Sequence, residues 1–334
     1  MAGLPFALLA VVTMGDAVPV SAQQAQADEG RWSAVAPGRI EPREGEYRVG
    51  AATPGRIVEV RVHDGDKVAA GDLLVKLDDA VPAARLSAAL AEAALKKFTR
   101  DDQGPGGKLK QRYDADDALF DGERRIAVAH DALDAVQAGS KGDASGIEKA
   151  KAELTAAQDA LPKLRAAAAN VRKDAGAPKP NQYETALAGA QGQVAEAQAL
   201  LDQTRIRAPV AGTVLQVAAR LGAIAAPSAP EPLVVVGDLS AMRVRAEVDA
   251  RDAGHVKAGQ KTVVRADAFP GKEFTGHVTS VAPGLTATRL SPRGPRRPGD
   301  SEILEVFVVF DALPPLPSGM RVDVYFAAEG ATKP

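Results

Sequence analysis

Ile147, Leu154, Leu161 and Ala168 stand seven residues apart, and Ala150, Ala157, Leu164 and Val171 follow each by three. The same spacing links Leu119, Ile126 and Leu133, with Ala129 and Val136 following the latter two, and Leu187, Val194 and Leu201 with Ala190 and Ala197. A strict seven-residue repeat keeps one apolar seam turned toward a partner helix and implies left-handed supercoiling. Alanine at alternate seam positions lets the helices approach closely. Residues 80–205 therefore read as an α-helical coiled-coil hairpin. Pro162 lies inside the middle run, where a kink or break is expected. Gly104-Pro105-Gly106-Gly107, Ala138–Gly146 and Gly176-Ala177-Pro178-Lys179-Pro180 end the first, second and third helices. The count is four helices and three turns, with antiparallel neighbours across short connections and a length of about 40 Å for each of the two middle helices.

The flanks of this segment share a second pattern. Pro54-Gly55-Arg56-Ile57-Val58-Glu59-Val60 precedes it and Ala211-Gly212-Thr213-Val214-Leu215-Gln216-Val217 follows it. Each is a turn signal leading into period-two alternation. Glu231–Leu239 matches Gly71–Asp79 in position. One small β domain is thus split, with the helices inserted at its hairpin. Gly65 and Gly71 fall where the chain must turn tightly, with positive φ expected.

GRIVEVRVHDGDKVAAGDLLVKLDD, residues 55–79, resembles the first half of a biotinyl/lipoyl-type hammerhead. In a carrier of that type the modified lysine sits at the turn after the last strand. Asp78-Asp79-Ala80 occupies that turn here, and the nearest lysine, Lys76, falls inside a strand. A biotinyl or lipoyl carrier is accordingly the weaker reading.

Beyond Leu239 further alternating segments, 242–248, 263–266, 274–281, 303–310 and 322–326, read as a small antiparallel barrel. Arg289, Arg293, Arg296 and Arg297 share one intervening loop, read as a solvated segment rather than a contact for lipid head groups. The N-terminal apolar run Leu4–Met14 is too short to span a bilayer, and Val18–Ala22 has the small-x-small pattern of an export-signal cleavage site. Residues 1–22 are expected to be a signal peptide (or an N-terminal anchor), 23–31 a disordered leader, and 32–48 a strand segment of the barrel or a membrane-proximal domain. The halves of the split domain are expected at 49–79 and 206–238, and the barrel with membrane-proximal strands at 239–334.

Composition narrows the chemistry. Of 334 residues none is cysteine, which removes disulfides, thiolate catalysis and Cys-ligated zinc. His63, His130, His255 and His277 are far apart in sequence and do not suggest a metal site. A net charge of −2 with both signs interspersed gives no electrostatic footprint for nucleic acid, and 4% aromatics gives few stacking platforms. No catalytic, cofactor-binding or metal-ligating residue is assigned.

The whole order is similar to the periplasmic adaptor, or membrane fusion protein, family of the HlyD type. The order runs from an export signal through a Gly-x-Ile-x-x-Val half, a heptad hairpin and an Arg-Ala-Pro-x-x-Gly-x-Val half, to a barrel with DLSAMRVRAEVD and FPGKEFTGHV. The resemblance implies an elongated α+β fold: a split lipoyl-like hammerhead, an inserted coiled-coil hairpin and a following β-barrel. It also implies a non-enzymatic bridge between an inner-membrane transporter and an outer-membrane TolC-like channel for efflux or secretion. The protein would then lie in the periplasm against the inner membrane, self-associated as a ring, usually of six. Leu133–Leu154 is similar to a segment of adaptors paired with ABC exporters, which favours an ABC partner. The chain departs from the family's tip motif: with the tip at Gly104–Lys110, the motif's Leu position falls on Gln103 and its Ser position on Lys110. The rival reading from another class is an envelope coiled-coil protein with no transport role.

Overall fold

The computed structural model describes residues 31–139, 144–173, 180–287 and 302–328. The export-signal and leader segments and the four-arginine loop lie outside the described residues. The chain divides into two compact units, one made of residues up to Gly45 and from Leu239 onward, the other of Glu46–Asp238.

The first unit is a closed antiparallel barrel of six strands: β1 (Trp32–Pro42), β10 (Met242–Asp249), β13 (Glu302–Phe310), β12 (Glu273–Ala287), β11 (Lys261–Arg265) and β14 (Arg321–Ala327), in that order around the wall. Alternation along each strand fills the interior. Ile40, Val244, Val264, Val306, Val308, Val324 and Phe326 are completely buried. β1, supplied from before the helical segment, closes the wall by pairing with both β10 and β14. Closure removes the exposed edges that an open sheet would present.

In the second unit, β2 (Tyr47–Val49), β9 (Val234–Gly237), β7 (Gly212–Val217) and β4 (Lys67–Val68) form one four-stranded sheet. A second is formed by β6 (Arg205–Arg207), β5 (Leu73–Leu77), β3 (Gly55–Val60) and β8 (Ile224–Ala225). Tyr47–Val49 pairs with β9, so this stretch belongs here and not to the barrel. Each sheet takes strands from before and after the helices. Ile57, Leu74, Val75 and Leu77 from the first half share one core with Val214, Val234 and Val236 from the second.

The halves also exchange equivalent bonds. The Gly65 amide donates to the Val214 carbonyl at 2.8 Å, and 157 positions on, the Gly222 amide donates to the Ile57 carbonyl at 2.8 Å. Both glycines turn with positive φ, 92° and 82°, where a Cβ would be strained. The repeated motif thus builds a quasi-twofold unit, each half capping the other.

Between β5 and β6 run four helices: α1 (Ala80–Asp101), α2 (Gly107–Gly139), α3 (Ala144–Lys173) and α4 (Gln182–Asp202). At about 1.5 Å per residue α2 and α3 reach roughly 50 and 45 Å, somewhat longer than their sequence spacing suggested. α3 runs unbroken through Pro162, so the expected break does not occur. Pro162 is exposed, and on that side water can satisfy the carbonyl freed by its missing N–H.

Candidate functional site

The inserted helices and their junction with the split β domain are the candidate site. α4 shows how the heptads act: Leu187, Ala190, Val194, Ala197 and Leu201 are its buried residues. Ala93 of α1 packs against Ala190 and Val194, with Leu86, Leu90 and Phe120 around them. Burying Val194 contributes about 1.5–3 kcal/mol on area grounds. In the second pair, α2 and α3, Gly122 leaves room for Leu164; a Cβ on it would stand 2.5 Å from Leu164 Cδ1. Leu154 and Leu161 are only half-buried, because their helix has its neighbour, α2, on one side.

α4 begins in a capping box. Asn181 Oδ1 accepts from the Tyr183 and Glu184 amides, each at 3.0 Å, and Glu184 Oε2 accepts from the Asn181 amide at 2.8 Å. The same residues reach α2: Asn181 Nδ2 donates to the Tyr113 hydroxyl at 3.1 Å, and Glu184 pairs with Arg112. One helical turn away Arg100, 3% exposed, sends two parallel bonds to Asp117, at 2.8 and 3.1 Å, while its guanidinium lies 4.2 Å from the Tyr113 ring centre. Burial opposes the charge on Asp117, yet the bonds from Arg100 and Lys97 prevail and hold its carboxyl below the usual range.

The opposite end of the bundle meets the β domain. Arg207 on β6 grips Asp134 of α2 at 2.6 and 2.9 Å, Arg61 donates to the Asp134 carbonyl at 2.7 Å, and Arg205 pairs with Asp131. The connection after α1 and the start of α4 therefore share the end remote from the β domain, while the end of α2 lies against it. The N-x-x-E cap at Asn181–Glu184 was readable in the sequence; the arginine–aspartate pairs were not, since nothing local links Arg207 to Asp134.

Lys76 lies in β5, faces Arg205 across the ladder and pairs with Asp79 at 3.0 Å. His63 is 3.6 Å from Asp66, His277 is 3.1 Å from Asp311, and among the described residues no group of three or more His, Cys, Asp or Glu is placed to hold a metal ion. Among the described residues no helix is long and apolar enough to cross a membrane.

A family model described as "RND MFP, barrel-sandwich hybrid domain" matches residues 46–237, the whole of the second unit but its last residue. The chain belongs to the membrane fusion protein family. A second model, "CusB-like, beta-barrel domain", matches residues 243–290. The pyoverdine export membrane fusion protein PvdR of Pseudomonas aeruginosa is 27% identical over 252 residues, 75% of this chain and 55% of that protein. The chain thus spans about half the length of that relative. The UPF0194 membrane protein of Yersinia pestis is 28% identical over 288 residues, 83% of this chain and 85% of its own length. The macrolide export protein MacA of Escherichia coli O157:H7 is 39% identical over 85 residues, 25% and 23% of the two chains. The crystal structure of MacA from Actinobacillus actinomycetemcomitans shares the fold with a TM-score of 0.53 at 22% identity, over 90% of this chain and 80% of that one.

Proposed function

We propose that this membrane fusion protein is a periplasmic adaptor that joins an inner-membrane transporter, of the ABC type, to an outer-membrane TolC-like channel, and that it works as a ring of six protomers. The observation that carries this reading is the insertion of four heptad-patterned helices between interlocked halves of a barrel-sandwich domain, with a closed barrel following. Such a molecule performs no bond chemistry; it supplies length, stiffness and a seal. The ABC preference rests on the likeness of Leu133–Leu154 to a segment of adaptors paired with ABC exporters, and an export role is supported by likeness to proteins named for macrolide and pyoverdine export. The residues ahead of Arg31 would serve as export signal and leader in this reading.

The test is crosslinking in cells of the Gram-negative host with a photoreactive residue at exposed Glu153 and, separately, at exposed Leu313. Recovery of an ABC transporter subunit and an outer-membrane channel, identified by mass spectrometry, is expected. Recovery of a proton-driven transporter would remove the ABC assignment, and recovery of neither protein would remove the bridging role.

A further inference from the structure

We propose that Arg321, Arg39 and Arg245, aligned across the outer wall of the barrel, are the docking site for an acidic helix of a partner protein. The inference concerns the barrel alone and does not rest on the adaptor assignment.

Strand alternation and register place the row. Along β1, β10 and β14 alternate residues fill the barrel, so Arg39, Arg243, Arg245 and Arg321 stand on its outer face. Arg321 lies opposite Arg39, Arg39 opposite Arg245, and Phe307 of β13 follows Arg245. Like charges directly opposite one another on neighbouring strands destabilise a sheet. A wall that needed only solubility would alternate signs, as Glu41 opposite Arg243 does one row along. The chain as a whole carries a net charge of −2, so the positive row is a local feature.

The groups around the row do not cancel its charge. Glu41, 9% exposed, is shared by two guanidiniums, Arg243 at 2.8 Å and Arg245 at 3.7 Å. Arg39 is exposed, and among the described residues no carboxylate pairs with it. Its guanidinium lies over the turn at Gly319, where φ is 84° and an added Cβ would stand 3.2 Å from Nη2. That turn is laced to β1, the Gly319 amide donating to the Ile40 carbonyl at 2.8 Å. Arg243 in turn lies 4.3 Å from the Phe307 ring centre. Contacts of this kind hold the guanidiniums in place before a partner arrives, which lowers the entropy cost of recognition.

Spacing and chemistry select the partner. Neighbouring strands stand about 4.8 Å apart, and side chains three or four residues apart on a helix about 5–6 Å. A helix laid across the strands therefore meets the three arginines with carboxylates at i, i+4 and i+7, and Phe307 with an apolar side chain at i+11. Every cationic side chain of β1, β10 and β14 is arginine, whose planar fork bonds a carboxylate at two points. A membrane surface is negative throughout and would also face Asp323, which shares the outer face two residues from Arg321; a helix is narrow enough to avoid it. Asp114, Asp117 and Asp121 of α2 have the required spacing, but Asp117 is held by Arg100 and Lys97, which argues against a second copy of this chain.

The probe is a fluorescein-labelled 18-residue peptide of alanine and glutamine, with glutamates at positions 4, 8 and 11 and leucine at 15. It is titrated with the purified full chain at low salt and read by anisotropy. Saturable binding is expected, weakened tenfold or more when the glutamates become glutamine, and likewise in Arg39→Gln/Arg245→Gln. Arg39→Lys/Arg245→Lys, which keeps the charge and loses the fork, should bind severalfold more weakly than the native chain. Arg56→Gln, at an exposed arginine of the split domain, should change nothing. Because opposed like charges burden the barrel, Arg39→Gln should raise the melting temperature while binding falls. No binding by the native chain, or equal binding by the glutamine or the lysine variant, overturns the proposal. So does a lowered melting temperature in Arg39→Gln, which would make the row a support of the barrel. Two further arms separate other sources of negative charge. Arginine-dependent sedimentation with phosphatidylglycerol vesicles in the absence of peptide binding would assign the row to a membrane surface and overturn the proposal. Full displacement of the peptide by inorganic phosphate, at an ionic strength where chloride leaves it bound, would assign the row to a small anion and overturn it equally.

Discussion

Arg207 and Asp134 lie 73 residues apart in sequence and share two hydrogen bonds, at 2.6 and 2.9 Å. The guanidinium also reaches the Gly71 carbonyl at 3.1 Å, so one side chain ties the returning helix α2 to both halves of the split domain. Asp134→Ala should cost about 1–3 kcal/mol, since it strands a largely buried cation. A double-mutant cycle with Arg207→Ala, read by chemical denaturation, should give a coupling energy of about 0.5–3 kcal/mol. Strict additivity would show that the pair contributes nothing.

The seam residues divide by burial. Val194→Asp places an unpaired charge at a site 3% exposed and should cost several kcal/mol. Leu161→Asp, half-buried on α3, should cost less, while Glu153→Ala and Glu196→Ala, both exposed, should stay within about 0.5 kcal/mol. Thermal melts that rank the four changes otherwise would contradict the helix pairing.

His130 gives a pH signature. Burial, and then the nearby Arg207, push its pKa below the usual 6.5. The unfolded chain then binds the proton more readily than the folded one between the two pKa values. Stability should therefore be complete above about pH 6.5 and decline as pH falls through and below that value. His130→Gln should flatten that part of the stability-versus-pH curve. An unchanged slope in the variant would assign the effect to another group.

Lys76 should carry no lipoyl or biotinyl group. It lies in strand β5 with its ammonium paired to Asp79, and no lysine occupies the 78–80 turn. Intact-mass measurement of protein from its own host should match the unmodified chain, and either adduct would contradict the adaptor reading.

The split domain should fold without its insert. The Leu77 amide donates to the Thr204 carbonyl at 2.8 Å, so the insert's roots are already ladder neighbours. Replacing 81–205 by Asn-Gly should close a short hairpin. The product should stay soluble, lose most helical circular dichroism and keep a cooperative melt. Aggregation would mean that Arg61 and Arg207, whose partner Asp134 goes with the insert, need it for the β domain to form.

The sequence disclosed what local periodicity and turn chemistry can encode. The α4 seam from Leu187 to Leu201, the positive φ of Gly65 and Gly71 and the two matched half-motifs were all legible. Pro162 does not break α3, and periodicity could not show this because it does not say which side of a helix faces water until its packing is known. The arginine–aspartate junction was illegible for a related reason: Arg205 and Arg207 alternate like ordinary strand residues, and only the fold brings Asp131 and Asp134 beside them. The direction of the second helical pair depended on contacts such as Arg112 with Glu184, which no local pattern announces.

The interleaved halves also set a timetable for synthesis. β5 ends at Leu77, and its ladder partner β6 begins at Arg205. At ribosomal speeds of about 5–20 residues per second, the first half waits roughly 6–25 s for the strands that complete it. Its apolar edge, Val75 and Leu77 included, stays uncovered for that time, while the helices can form by local contacts as they emerge. A newborn chain of this design therefore carries the first half's apolar edge unpaired until the second half is made.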